Sequence, residues 1–196
     1  MKVLGIYGSP RQGGNSDRLL DQALAGAGVA GAEVKRLYVR DLKLAGCREC
    51  GACDKSGVCR WNDDMQKVYP LLESSEIIIL AAPIFFYGLP ARMKAMIDRA
   101  QAMWNKRRLI KTAEQRKSYD RGRGYLIAVG ATKGKDLFKG VQLTAKYFFD
   151  ALDKSYEGGI FFRELEGRGA VAQKPELLRE AYELGMKAAA GGNAKK

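Results

Sequence analysis

Not one of the 196 residues is histidine. That removes the side chain that most often moves protons near neutral pH and most often ligates metals. Any chemistry therefore falls to cysteine, carboxylate, tyrosine or a bound cofactor. Long apolar runs are missing too. The opening MKVLGIYGSPRQGG holds an apolar run of only about five residues, short of the ~7–15 in the core of a signal peptide. The segment SSEIIILAAPIFFYG stops well before the ~20 residues that span a bilayer. These absences lead us to expect a cytoplasmic protein with no membrane partner. Cysteine is scarce, four residues in all, and every one lies between positions 47 and 59. In a reducing compartment such a group reads as a metal or redox site before it reads as disulfides.

What is present is ordinary for a folded domain: 46% hydrophobic and 29% charged residues, in a chain long enough to bury roughly 70% of its unfolded surface. Short apolar runs alternate with longer stretches of helical period, the pattern of a parallel sheet covered on both faces. The runs predict strands at about 2 to 8, 33 to 39, 76 to 82, 124 to 131 and 156 to 163. Helices are expected at about 16 to 28, 64 to 74, 89 to 105, 137 to 152 and 175 to 190. The third is marked by Leu89, Met93, Met96, Ile97, Ala100, Met103 and Trp104 at helical spacing. We expect an α/β three-layer sandwich with a five-stranded parallel sheet of order 2-1-3-4-5, a single flavodoxin-like domain. Two insertions interrupt it, a cysteine-rich one at about 40 to 63 and a basic one at about 106 to 123, and the tail AAAGGNAKK reads as frayed. Such a sheet binds ligands at the carboxyl ends of its strands, beside the first strand.

The basic insertion carries eight of the cations behind the net charge of +12, against only Glu114 and Asp120. It reads as a solvated loop, or as a landing surface for an acidic partner or a phosphorylated cofactor. No nucleic-acid-binding motif accompanies it, so nucleic acid is not expected as a partner.

The first strand runs into Gly8-Ser9-Pro10-Arg11-Gln12-Gly13-Gly14-Asn15-Ser16 and then a helix. Glycines allow close backbone approach, Ser9, Asn15 and Ser16 offer polar groups, Arg11 offers charge, and the helix N-terminus offers free amides to an anion. A plain polar turn with a helix cap is the alternative. Gly14 and Asn15 stand where a P-loop needs Lys and Ser/Thr, and no G-x-G-x-x-G fingerprint is present. A monophosphate on a strand-loop-helix remains, and in a flavodoxin-like sheet that ligand is commonly FMN. The third strand ends in Pro83-Ile84-Phe85-Phe86-Tyr87-Gly88. Its aromatics suit a flat isoalloxazine ring, or else plug the core or a subunit interface. Gly130-Ala131-Thr132-Lys133-Gly134 is a second glycine-rich loop at the same end, able to close over a ring or to serve as an ordinary turn.

Cys47, Cys50, Cys53 and Cys59 are spaced C-x2-C-x2-C-x5-C. Four thiolates so close can converge on one [4Fe-4S] cluster. A structural zinc site more often splits into two pairs ~15–20 residues apart, which leaves zinc, or thiols that bind nothing stably, as the alternatives.

Taken together, GSPRQGGNS, Asp63-Asp64-Met65 and PIFFYGLPARMKAMIDR resemble the NADPH-dependent FMN reductase branch of the flavodoxin-like superfamily over roughly residues 1 to 135. The resemblance implies that Ser9, Arg11, Asn15 and Ser16 hold the FMN phosphate. It also implies that Pro83, Ile84, Phe85, Phe86, Tyr87 and Gly88, with the loop from Gly130 through Thr132, contact the ring. Phe85 stands where relatives often carry Tyr, so any hydroxyl contact made there is absent. The cysteine segment is similar to the compact motif of the iron-sulfur flavoproteins, in which a [4Fe-4S] cluster exchanges electrons with FMN. The implied protein is an oxidoreductase fed by NAD(P)H or by ferredoxin or another acidic electron-transfer protein. A homodimer or homotetramer is implied as well. A cluster-free NAD(P)H-dependent FMN or quinone reductase, a non-catalytic electron carrier and a redox sensor are the alternatives.

Overall fold

The computed structural model of the chain describes residues 1–191. Five strands form one parallel sheet: β1 (Lys2–Tyr7), β2 (Glu33–Tyr38), β3 (Ile77–Pro83), β4 (Arg123–Val129) and β5 (Ser155–Phe162), in the order β2-β1-β3-β4-β5. Six helices cover it: α1 (Asn15–Val29), α2 (Met65–Ser74), α3 (Ala91–Arg99), α4 (Gln101–Ile110), α5 (Lys139–Ala151) and α6 (Pro175–Ala190). The expected fold and strand order are those observed. Of the tail, Ala188 to Ala190 belong to α6, and residues 192–196 lie outside the described residues.

The inner strands are apolar on both faces because both faces are covered. Along β3, Ile77, Ile79 and Ala81 enter a core shared with Leu19, Leu20 and Leu24 of α1 and Ala181 and Ala188 of α6. Ile78, Leu80 and Ala82 enter the opposite core, with Met65 and Leu72 of α2, Met93 and Met96 of α3 and Phe148 of α5. β1 ends at Tyr7 opposite Ala81, whereas β3 and β4 run on to the pair Pro83 and Val129. That step at the carboxyl edge leaves room for the loop that follows β1.

Two expectations need correction. The helix expected over 89 to 105 is two helices meeting at Ala100. There the ladder tightens, with Ala100 N–H donating to Ile97 O and Met103 N–H to Ala100 O, both at 2.9 Å. Met93, Met96, Ile97, Ala100 and Met103 stay buried in one core across the joint, so the apolar stripe is continuous and conceals the break. The basic segment 106 to 123 is not one solvated loop. Its first five residues end α4, and Arg107 is almost fully buried. All five Arg107 donors are used: Nε on Asp153 (2.9 Å), Nη1 on the side chain and carbonyl of Asp150, Nη2 on the carbonyls of Arg116 and Ser118. Lys106 pairs with Glu73, Lys111 with Asp120 and Asp153, and Lys117 with Glu114. Much of the charge that reads as a landing surface is therefore neutralised within the chain.

Candidate functional site

At the carboxyl edge a cleft of about 230 Å³ opens between the loop after β1, the end of β3, the end of β4 and the loop after β5. Ser9, Arg11, Gly14, Asn15 and Ser16 form one wall, and Pro83, Ile84 and Phe85 another. Of the residues singled out from the sequence, these line one cleft, whereas Phe86, Tyr87 and Gly88 do not line it.

The β1–α1 loop is shaped from within. Ser9 Oγ accepts from the Arg11 amide at 3.1 Å and donates to the Arg11 carbonyl at 3.0 Å, folding the turn on itself. Gly13 has φ +65°, the left-handed conformation that glycine adopts without penalty, and its amide donates to Asp17 Oδ2 at 3.1 Å. The first amides of α1 have no partner inside the helix, and the residues that carry them, Asn15 and Ser16, line the cleft. Asp17 lies buried in that first turn, paired with Arg40 at 2.9 Å. Burial pushes its carboxyl up, with Arg40 and the Gly13 amide pulling it back. The Asn15 side chain faces elsewhere. Its Nδ2 donates to the carbonyls of Leu165 (3.3 Å) and Gly167 (2.9 Å), and its Oδ1 accepts from the Val171 amide (3.0 Å). It fastens the loop after β5 to the loop after β1.

Phe85, Phe86, Tyr87 and Gly88 make a tight hairpin turn. The amides and carbonyls of Phe85 and Gly88 exchange hydrogen bonds at 3.0 and 2.9 Å, and Phe86 and Tyr87 both have positive φ, +49° and +60°. Two aromatic residues hold a turn that Asn-Gly would fill without strain. Phe86 is wholly exposed and Phe85 and Tyr87 about half exposed. Tyr87 lies against the loop after β4, where a Cβ on Gly134 would run into its hydroxyl. In that loop Ala131 lines the cleft but Gly130 and Thr132 do not. The Gly130 amide is taken by the Phe162 carbonyl at 2.8 Å, and Thr132 is exposed.

Leu165, Glu166, Gly167 and Arg168, which complete the cleft, were not singled out from the sequence. The only signal was the run Gly167-Arg168-Gly169, a glycine-rich turn after the last strand and hence at the binding edge.

A second hollow, of about 380 Å³, is lined by all four cysteines together with Arg48, Trp61, Arg99 and Ala102. The segment after Leu42 has no regular structure up to α2 and is held at its edges. Arg99 donates from Nη1 to the Ala45 carbonyl (3.0 Å) and to Asp63 Oδ2 (2.6 Å), and from Nη2 to Asp63 Oδ1 (3.1 Å). Asn105 Nδ2 donates to Cys53 Sγ at 3.2 Å, and Arg48 stacks on Trp61 at 4.4 Å. Four cysteines lining one hollow suit an iron-sulfur cluster in kind and number. The sulfurs are not gathered, however. Among the described residues no three or more of His, Cys, Asp and Glu stand together as a metal site. No helix among them is long and apolar enough to cross a membrane.

The sheet order and the position of the cleft define a flavodoxin-like α/β protein. The NAD(P)H:quinone oxidoreductase from Methanothermobacter marburgensis shares this fold with a TM-score of 0.70 at 13% identity, over 95% of this chain and 98% of that one. The chain belongs to the NADPH-dependent FMN reductase family, whose model matches residues 1–134. It is similar to the iron-sulfur flavoprotein of Methanosarcina thermophila, 29% identical over 193 residues, covering 94% of this chain and 96% of that relative. An iron-sulfur flavoprotein of Archaeoglobus fulgidus is 40% identical over 99 residues, half of this chain and 45% of the relative. Over that match the chain spans less than half the relative's length.

Proposed function

We propose that this chain is an FMN-dependent oxidoreductase that also uses its cysteine hollow for a [4Fe-4S] cluster, exchanging electrons between the two groups and a small acceptor. The observation that carries the flavin is the cleft itself, with an anion-shaped loop at one end and a strained aromatic turn beside the other. FMN, when bound, supplies hydride and single-electron chemistry that a chain without histidine lacks. The protein's part would be placement: Ser9, Arg11, Ser16 and the first turn of α1 offer a wall to a phosphate, and Phe85 offers a ring at the cleft, with Phe86 and Tyr87 exposed in the adjoining turn outside its lining. Asn15 acts through its contacts, holding the far wall. The four cysteines, with the names of the two relatives, support the cluster. Arg99 and Asn105 place the loop, and Asn105 donates directly to one sulfur. NAD(P)H and reduced ferredoxin are the candidate donors. The exposed rings of Phe86 and Tyr147 support a homo-oligomer, a dimer or tetramer.

Because the sulfurs stand apart, a second reading is retained: an NAD(P)H-dependent FMN or quinone reductase whose cysteines hold no cluster. Anaerobic purification followed by an absorption spectrum, with iron and acid-labile sulfide assays, separates the two. Flavin bands with about four irons and four sulfides per chain support the cluster. Flavin bands with neither iron nor sulfide leave the plain reductase. No flavin after incubation with FMN overturns both readings.

A further inference from the structure

We infer that Arg168, on the loop after β5, makes the cleft select a phosphorylated flavin over an unphosphorylated one. This rests on the flavin reading of the cleft and adds a residue beyond residue 134, where the family match ends.

The loop after β5 turns back over the loop after β1 through Glu164, Gly167 and Gly169, with φ of +56°, +74° and +77°. Asn15 fixes it through the three hydrogen bonds described above, and the Leu165 amide adds a fourth tie to the Gly130 carbonyl at 3.2 Å. So held, Arg168 reaches across and donates from Nη2 to the Gln12 carbonyl at 3.0 Å. A guanidinium carries five donors, and among the described residues this is its only hydrogen bond. It lines the same cleft as Ser9, Arg11 and Ser16, so its remaining donors stand beside the wall that faces a phosphate.

The charge balance gives Arg168 its importance. Glu166 lines the cleft too, and it offsets one cation. Asp17 beneath the loop is matched by Arg40. Arg11 alone would leave the cleft near neutral, and Arg168 makes it positive. A phosphate monoester carries close to two negative charges at neutral pH, and the planar fork of arginine suits its oxygens. An unphosphorylated flavin presents no such group, so losing Arg168 should be felt by FMN and not by riboflavin.

The test is fluorescence titration of the flavin-free chain with FMN and with riboflavin, for wild type, Arg168→Gln and Arg168→Lys, at low and high salt. Gln retains a donor for the Gln12 carbonyl but no charge, and circular dichroism reports whether each variant is folded. We expect R168Q to weaken FMN about ten- to fifty-fold, to leave riboflavin within about two-fold, and to flatten the salt dependence. R168K should recover part of the FMN affinity. Equal loss for both flavins would show that Arg168 only braces the loop, and unchanged FMN affinity would remove it from the site; either result overturns the inference while the flavin reading stands. A wild type that binds neither flavin overturns both.

Discussion

Replacing Asp63 with Asn tests whether one ion pair holds the cysteine loop in place. Arg99 is almost completely buried, with a side-chain exposure of 1%, and Asp63 retains 20%. In the variant the guanidinium stays buried and charged but loses a bidentate carboxylate, and the new amide sets N–H groups against N–H groups. Breaking a fully buried pair costs about 3–5 kcal/mol. Water reaches Asp63, and the Ala45 carbonyl still accepts from Arg99, so we expect a smaller loss, about 2–3 kcal/mol near pH 7. Burial raises the Asp63 carboxyl, but hydrogen bonds from Arg99 and the Met65 amide, with the Arg99 charge, outweigh it and hold the group below its ordinary 3.8. A carboxyl depressed on folding stabilises above its unfolded value and loses that contribution as pH falls through the lower folded value. The gap between wild type and D63N should therefore be full at neutral pH and shrink below about pH 4. Urea unfolding followed by circular dichroism measures it, and alkylation rates of the four cysteines report whether the loop opens first. A loss under about 0.5 kcal/mol, the level of an ordinary surface substitution, or a gap that does not change with pH, would refute the clamp.

Two further outcomes follow from buried charge and backbone strain. Lys154 is fully buried with its ammonium on the Arg121 carbonyl at 2.7 Å, and burial, reinforced by the Arg121 charge, lowers its pKa to about 8. The folded state thus resists protonation, and stability falls as pH drops from about 10.5 to about 8, a penalty of about 3 kcal/mol that is constant below that. Lys154→Met should raise stability at pH 7 by about 1–2 kcal/mol after the lost hydrogen bond and give no gain near pH 10; equal gains at both in thermal melts would sink this. Phe86→Asn should relieve left-handed strain at a wholly exposed position and add about 0.5–1 kcal/mol. An unchanged or lower melting temperature would mean that contacts within the chain, rather than a ligand or partner, hold the ring there.

The inner strands β1, β3 and β4 were legible because each is a short apolar run buried on both faces, and the loops after β1 and β3 were legible because their glycines and aromatics sit at the carboxyl ends. What escaped depended on distant partners. Asn15 reads as a polar residue at a helix start, but its hydrogen bonds go to residues about 150 positions later, and no local pattern announces them. Arg168 escaped for the same reason. Arg107 reads as one charge in a basic run because composition does not show that Asp150 and Asp153 fold against it. The break at Ala100 was hidden by an apolar stripe that crosses it unchanged. The cysteine spacing shows how many thiols share a segment and says nothing of how their sulfurs are spread in space.

Helix α3 joins the two sites. Near its start, Met93 lies against Gly8, where a Cβ would run into the Met93 sulfur, and Arg92 donates to the carbonyls of Arg40 (3.0 Å) and Leu42 (3.1 Å), which lead into the cysteine segment. At its end, Arg99 grips Ala45 and Asp63 on either side of the four cysteines. From Ala91 to Arg99 the helix rises about 12 Å, so the start of the loop after β1 and the rim of the cysteine hollow are fixed to one rigid element. Arg40 adds a second tie, since the residue that opens the cysteine segment also neutralises Asp17 beneath the loop after β1. Moving the cysteine loop therefore requires breaking contacts to α3 or to that loop. The separation of the two candidate redox sites within the chain is set by packed helix and paired charge, and not by a free linker.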